Sequence, residues 1–288
     1  MDYALKLEGV SKRYEGSDFA LDKISFALPT GTIMGFVGEN GAGKTTTIGC
    51  ILNTLKREHG TIEIFGKEMD DDARSIREDL GIVYDGDNFP AYLTAKQLSD
   101  IMEGVYKNWD TPLFYEYLEK FHLKSKQKIG KYSKGMTMKL AIAAALSHHP
   151  KLLIMDEATN GLDPVMREEM LDIFLEFVEN KNHSILLSSH ITSDFEQIAD
   201  YITFIHRGKI ILSETKDHLI YNYGVLRCTE KDFSLLDAED IVAYRRKDYQ
   251  IDVLVSDMKN SAKKYPKVVA DHTTIDEIML LFVKGEMV

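Results

Sequence analysis

The segment Gly38-Glu-Asn-Gly41-Ala-Gly43-Lys44-Thr45 is a full match to the pattern G-x-x-x-x-G-K-[ST]. Few folds can host it. The spacing demands a buried strand, a loop whose backbone N–H groups wrap a polyphosphate, and a helix that starts at the loop's end. Gly38, Gly41 and Gly43 admit backbone conformations and close approaches that a Cβ would block. Asn40, Ala42 and Thr46 complete the cradle. Lys44 supplies a point charge for the outer phosphates, and the Thr45 hydroxyl is a ligand for Mg²⁺. The flanks agree with this reading. Thr32 to Val37 is a short apolar run, as a buried strand would be, and Thr45 to Leu55 is compatible with a helix. The phosphates would then sit at a helix N-terminus.

More than a hundred residues on, Lys151-Leu-Leu-Ile-Met-Asp156-Glu157 is an apolar run ending in two acids. Such a run suits a central parallel strand buried on both faces. Ligands of open α/β sheets bind at the carboxyl ends of those strands, where Asp156 and Glu157 would emerge. Asp156 can hold Mg²⁺ directly or through water. Glu157 can act as general base on an attacking water, a role worth about 10²–10⁴ in rate. By themselves the two acids could equally cap a strand; the phosphate loop upstream favours the chemical role.

Four further segments bring in a family. Tyr132-Ser133-Lys134-Gly135-Met136 resembles the Leu-Ser-Gly-Gly-Gln motif of ABC ATPases, in the Ser-Lys-Gly-Met form common in bacterial exporter subunits. Ala158-Thr-Asn-Gly-Leu-Asp163-Pro164 resembles the family's D-loop, and Ser188-Ser189-His190 its switch histidine. Tyr14, in Val10-Ser-Lys-Arg-Tyr14, stands where the family stacks an aromatic ring on adenine. The motifs follow the family's order over roughly residues 1 to 215. One position departs. After the strand Leu80-Gly-Ile-Val-Tyr84, where the family carries Gln or Glu, stands Asp85. Aspartate is an oxygen ligand, but its shorter side chain must come closer or use a water, so its approach to Mg²⁺ stays open.

The resemblance implies an α/β fold of the ABC ATPase type. Its core would be a mainly parallel sheet with an antiparallel β edge, holding an inserted helical subdomain at about 87–150. The expected division is an ATPase domain over 1–214 and a small α/β appendage over 215–288. The resemblance also implies ATP and Mg²⁺ as ligands and a head-to-tail pair of subunits, homodimer or heterodimer. In that pair, ATP on Lys44 of one copy is capped by Ser133 and Gly135 of the other, with Asp163 communicating across the interface and His190 holding the γ-phosphate. The implied partner is an integral-membrane permease, with the chain peripheral on the cytoplasmic face of the membrane. Peptides, antimicrobials or lipids are the implied cargo. The other class is a soluble ABC ATPase acting on a cytosolic assembly such as an iron–sulfur scaffold.

Composition narrows the alternatives. A chain of 288 residues suits one domain of about 200 plus a small addition. The net charge of −11 argues against a nucleic-acid surface. The two cysteines, Cys50 and Cys228, are too few for a disulfide framework or zinc site. The N-terminus lacks a basic segment leading into an apolar core, so no secretion signal is expected. No apolar run approaches the ~18 residues of a bilayer span.

Several smaller readings follow. Leu5, Leu7, Ile24, Phe26 and Leu28 alternate as antiparallel strands would. The acids of Glu68 to Asp72 suit a helix N-terminus, and Arg245-Arg-Lys247 an exposed hairpin turn. Trp109 and the aromatics from Phe114 to Phe121 read as helical core. His148 and His149 fall in a helix-to-strand turn with no metal role. Tyr201 to Ser213 forms a hairpin. Phe89 to Thr94 could receive a partner's helix or simply anchor a loop. Past residue 215, Val225–Cys228 and Tyr249–Val255 read as strands and Ile275–Val283 as a helix, in a piece that could regulate the ATPase or merely stabilise it.

Overall fold

The computed structural model describes residues 2–16, 19–70, 73–86 and 88–287. Three sheets and eleven α-helices account for most of them. The chain opens with β1 (Tyr3–Arg13) and β2 (Ala20–Pro29), paired antiparallel. The nucleotide strand β3 (Ile33–Val37) follows, buried at every position, and runs through the glycine loop into α1 (Lys44–Ile51). Next come β4 (His59–Ile64), β5 (Lys67–Glu68), α2 (Arg74–Arg77) and β6 (Leu80–Tyr84). Of the acidic run before α2, Asp71 and Asp72 lie outside the described residues.

From 88 to 150 the described chain is helical: α3 (Ala95–Val105), α4 (Thr111–Lys120) and α5 (Lys134–Leu146), with one 3₁₀ turn at Ile129–Lys131. Thr94 and Gln97 form a reciprocal cap on α3, and Asp110 with Pro112 starts α4. Phe114, Leu118 and Phe121 fill this layer's core as their spacing predicts, while Trp109 lies in the preceding loop and donates to Ser99 Oγ. Then follow β7 (Leu152–Asp156), α6 (Pro164–Val178), β8 (Ser184–Ser189), α7 (Ser193–Ile198), β9 (Tyr201–His206) and β10 (Lys209–Thr215).

The central sheet runs β10-β9-β3-β8-β7-β6. Every pair is parallel except the β9–β10 hairpin, which closes one edge. The antiparallel strands expected ahead of β3 form a sheet of their own, β2-β1-β4-β5. They do so because their alternating apolar residues face one core. Leu5, Leu7, Ile24 and Phe26 pack there against Met34, Phe36, Ile48 and Ile154, between the two sheets.

Beyond β10 the chain builds a third layer. It consists of α8 (Lys216–Asn222), β11 (Gly224–Cys228), α9 (Glu230–Phe233), β12 (Ala243–Lys247), β13 (Gln250–Val255), α10 (Met258–Lys264), β14 (Val269–His272), α11 (Ile275–Lys284) and β15 (Glu286–Met287). Its sheet is antiparallel, in the order β14-β11-β13-β12-β15. Alternation along β13 divides the layer. Ile251, Val253 and Val255 face a small outer cluster, whereas Leu254 joins α11 in a core continuous with α5, α6 and α7. Arg245 to Lys247 close strand β12 rather than forming its turn, because Arg246 pairs with Glu230 and Lys247 with Asp252. Among the described residues, no helix is long and apolar enough to cross a membrane.

Candidate active site

β3 delivers the chain to the glycine loop, and the β9–β10 turn braces the loop from outside. The Gly208 N–H donates to Ala42 O at 2.8 Å, and His206 Nδ1 lies 3.0 Å from Glu39 Oε1. Gly43 holds φ 117° at the N-cap of α1, in a region closed to residues with a Cβ. Lys44, only 5% exposed, curls back over the loop. Its ammonium donates to Gly38 O at 2.7 Å and Glu39 O at 3.3 Å. It also stands 3.1 Å from Glu157 Oε1.

Parallel pairing sets the acids opposite. Asp156 ends β7 in register with Tyr84 on β6 and Ser188 on β8. Its carboxylate accepts the Thr45 hydroxyl at 2.8 Å and the Ser188 hydroxyl at 2.5 Å. Burial, with the Asp156 charge beside it, pushes the Tyr84 phenol up. Glu157 adopts φ 54°, left-handed for a residue with a Cβ, at a cost of about 1–3 kcal/mol. Its N–H is fixed by Ser188 O at 3.0 Å. That turn aims its side chain back across the loop, where Oε2 meets His190 Nδ1 at 2.7 Å. Lys44, Glu157 and His190 thus form one chain of contacts, drawn from the start of α1 and from the ends of β7 and β8. Two of the three are largely shielded from water, which strengthens their electrostatics.

Of the remaining sequence candidates, Tyr14 follows directly on β1, 36% exposed, with the Lys12 ammonium 5.6 Å from its ring centroid. Thr45 and Thr46 join Gly41, Gly43 and Lys44 around a cavity of about 320 Å³. Asn40 is exposed on the loop, and Ala42 is buried in it. Ser133 is the exposed N-cap of α5, accepting from Met136 N–H at 3.3 Å, and the Met166 side chain packs over Gly135. Neither residue lines the cavity at Lys44. Asp163 caps α6, accepting from Met166 N–H at 3.0 Å. Asp85 is engaged elsewhere: Lys134 Nζ pairs with its Oδ1 at 2.8 Å, and Asn160 donates to its Oδ2 at 3.4 Å.

Two residues of the site escaped the sequence reading. Ser188 holds both Asp156 and Glu157; the Ser188-Ser189-His190 segment marked it only as the approach to His190. Phe19 lines the cavity and sits against Gly43, with nothing in its neighbourhood to mark it.

A phosphate loop feeding a helix, faced by an acid pair at the end of the adjacent strand but one, defines a P-loop nucleoside triphosphatase. With the helical insertion bearing Ser133, it is an ATPase of the ABC type. A family model described as "ABC transporter" matches residues 21–160. The chain is 37% identical over 222 residues to the bacitracin transport ATP-binding protein BcrA of Bacillus licheniformis, covering 76% of this chain and 72% of that one. It is 34% identical over 218 residues to the lantibiotic transport ATP-binding protein SrtF of Streptococcus pyogenes, covering 74% and 91%. A solved ATP-binding subunit of an ABC transporter superposes with TM-score 0.68 at 26% identity, covering 75% of this chain and 91% of that one. The chain belongs to the ABC transporter family, as an ATP-binding and ATP-hydrolysing member.

Proposed function

We propose that this chain powers an ABC exporter by ATP-dependent dimerisation, and that its cargo is a peptide, antimicrobial or lipid. The observation that carries the reading is the contact chain Lys44–Glu157–His190 laid across the phosphate loop. The names of its relatives, bacitracin and lantibiotic transport proteins, support the direction and cargo class over a soluble assembly ATPase. The ATPase portion is 1–214, with its helical subdomain at about 87–150.

In this scheme the loop N–H groups and Lys44 bind the β- and γ-phosphates while Tyr14 receives adenine. Thr45 and Asp156 put hard oxygen donors 2.8 Å apart beneath the phosphate loop, a donor set that fits Mg²⁺. When bound, Mg²⁺ supplies charge neutralisation across the phosphates. Asp85 joins that set only after releasing Lys134 and Asn160. ATP entry draws Lys44 from Glu157, and the freed carboxylate takes a proton from the attacking water. His190 orients the γ-phosphate and stays in reach of Glu157. Ser133 and Gly135, turned outward on α5, complete the site of a second copy, in a two-fold pair with Asp163 at the interface. The permease would dock on the helical subdomain near Phe89 to Thr94, holding the chain at the cytoplasmic face of the membrane.

Glu157→Gln tests this directly. The variant is expected to bind ATP, to lose at least 10²-fold in turnover, and to accumulate as an ATP-held dimer by light scattering. Turnover at the wild-type rate would refute the assignment.

A further inference from the structure

Among the described residues, those after 215 do not line the phosphate cavity, yet they hold the element that follows His190. Helix α7 begins three residues beyond that histidine, and the C-terminal layer grips it at three points. Lys216 Nζ, at the start of α8, donates to Glu196 O at 3.1 Å. The Ile275 N–H, at the start of α11, donates to Glu196 Oε1 at 3.1 Å. The Thr192 hydroxyl donates to the Asp276 carboxylate.

The third contact is the most telling. Thr192 is the N-cap of α7, a position where a threonine side chain normally accepts from its own helix. Here it makes no cap bond. Its hydroxyl, on a residue 2% exposed, turns to α11 instead. On the ATPase side the polar hold is loose. Arg167 Nη1 lies 3.8 Å from Asp194 Oδ1, beyond hydrogen-bond reach. Asp194 Oδ2 and Arg167 Nε are buried without a hydrogen bond of their own, and Thr159 is the neighbour that eases the Asp194 carboxyl. Among the described residues, the polar hold of the ATPase side on α7 thus runs through Asp194, near Thr159 and at 3.8 Å from Arg167, and the closer polar contacts come from the C-terminal layer. That layer is itself stiff where it matters. Arg227 on β11 binds Glu277 of α11 at 2.8 Å while also pairing with Asp252 and Asp271. Ile275, Ile278 and Phe282 share one core with Phe195 and Ile198 of α7.

We propose that Asp276 and Glu196 are positioning residues for ATP hydrolysis. Through them, α11 fixes α7 and the His190 segment against Glu157, so residues 216–288 govern the rate of hydrolysis and leave ATP affinity alone. The inference rests on the roles given above to Glu157 and His190.

The test uses the full chain carrying Asp276→Ala, Asp276→Asn or Thr192→Val, with phosphate release and ATP binding measured in parallel. Misplacing a reacting group by about 1 Å can cost 10²-fold, and a partly restrained helix should lose roughly 10-fold in kcat. Asp276→Ala and Thr192→Val should each show that loss with ATP affinity within about twofold of wild type, and their combination should be no worse than either alone. Asp276→Asn keeps an acceptor oxygen for Thr192 and should recover most of the rate. Should Asp276→Ala fail to fold, Thr192→Val carries the same test. Wild-type kcat in the folded variants, equal loss of rate and affinity, or no recovery in Asp276→Asn would each overturn the proposal. Glu157→Gln is assayed alongside: wild-type turnover there sinks the active-site reading, whereas an inactive Glu157→Gln beside a normal Asp276→Ala sinks only this inference.

Discussion

Ser188→Ala removes one oxygen from a fully buried strand, and the geometry says what that oxygen does. It donates to Asp156 Oδ1 at 2.5 Å and lies 3.2 Å from the Glu157 N–H, which it shares with its own backbone carbonyl. Asp156 is 6% exposed, so water cannot readily replace the lost donor. Thr45 is its other side-chain partner. A hydrogen bond to a charged group is worth about 1.5–3 kcal/mol. Denaturant unfolding of Ser188→Ala should therefore show a loss near that range, or about 2–5 °C in Tm for a chain of this size. Turnover should fall as well, because the carboxylate beneath the phosphates and the backbone that aims Glu157 both relax. Ser189→Ala is the matched control. Among the described residues its hydroxyl accepts the Ile191 N–H at 2.9 Å, a neutral bond worth about 1 kcal/mol, and makes no other bond. A Ser188→Ala protein within about 0.5 kcal/mol of wild type and fully active would refute the view that Ser188 organises the acid pair.

Three other outcomes are expected. A Cβ at position 38 would meet Ile205 O at 2.5 Å, a strand carbonyl that cannot swing aside, so Gly38→Ala should weaken ATP binding at least 10-fold. Gly41→Ala meets open space and suffers only its φ of 81°, costing about 1–3 kcal/mol, and equilibrium binding should rank it milder. Burial pushes the Cys228 thiol up to about 11, leaving roughly 10⁻³ thiolate at pH 8, and raises Cys50 too. Neither should react with a thiol reagent until the protein is unfolded; rapid labelling of the native chain would contradict this. Burial also holds the Asp194 carboxyl above its usual 3.8. The folded state then binds more protons than the unfolded one, and stability falls as pH rises through that interval. Asp194→Asn should raise Tm at pH 7–8, with the gain vanishing as pH drops towards 3.8; a gain that grew on acidification would reverse the sign of the argument.

The nucleotide site was largely legible because its chemistry is written in contiguous spacing. The glycine loop, the acids after β7 and His190 after β8 each end a buried strand, and parallel register alone brings those ends together. What the sequence hid was contact between distant segments. Nothing in Phe19 or Ser188 marks a wall or a brace before the chain is folded. Whether Asp85 approaches Mg²⁺ stayed open in the sequence, and its partners Lys134 and Asn160 stand on other elements, visible only once the helical insertion folds back. The alternation of β1 and β2 announced antiparallel strands and could not say that they close a separate sheet over β3. In the C-terminal layer β11 and β13 were readable from their apolar runs, whereas β12, β14 and β15 were not. The bond from Thr192 to Asp276, spanning 84 residues, was not.

The central claim is that Glu157 is the base that Lys44 holds until ATP arrives. Single-turnover hydrolysis by Glu157→Gln, with ATP binding measured on the same sample, tests it most directly. The account predicts a chain that binds ATP at least as tightly as wild type, because Lys44 loses its anionic partner, and that cleaves it at least 10²-fold more slowly. Cleavage at the wild-type rate, or loss of ATP binding along with cleavage, would contradict it.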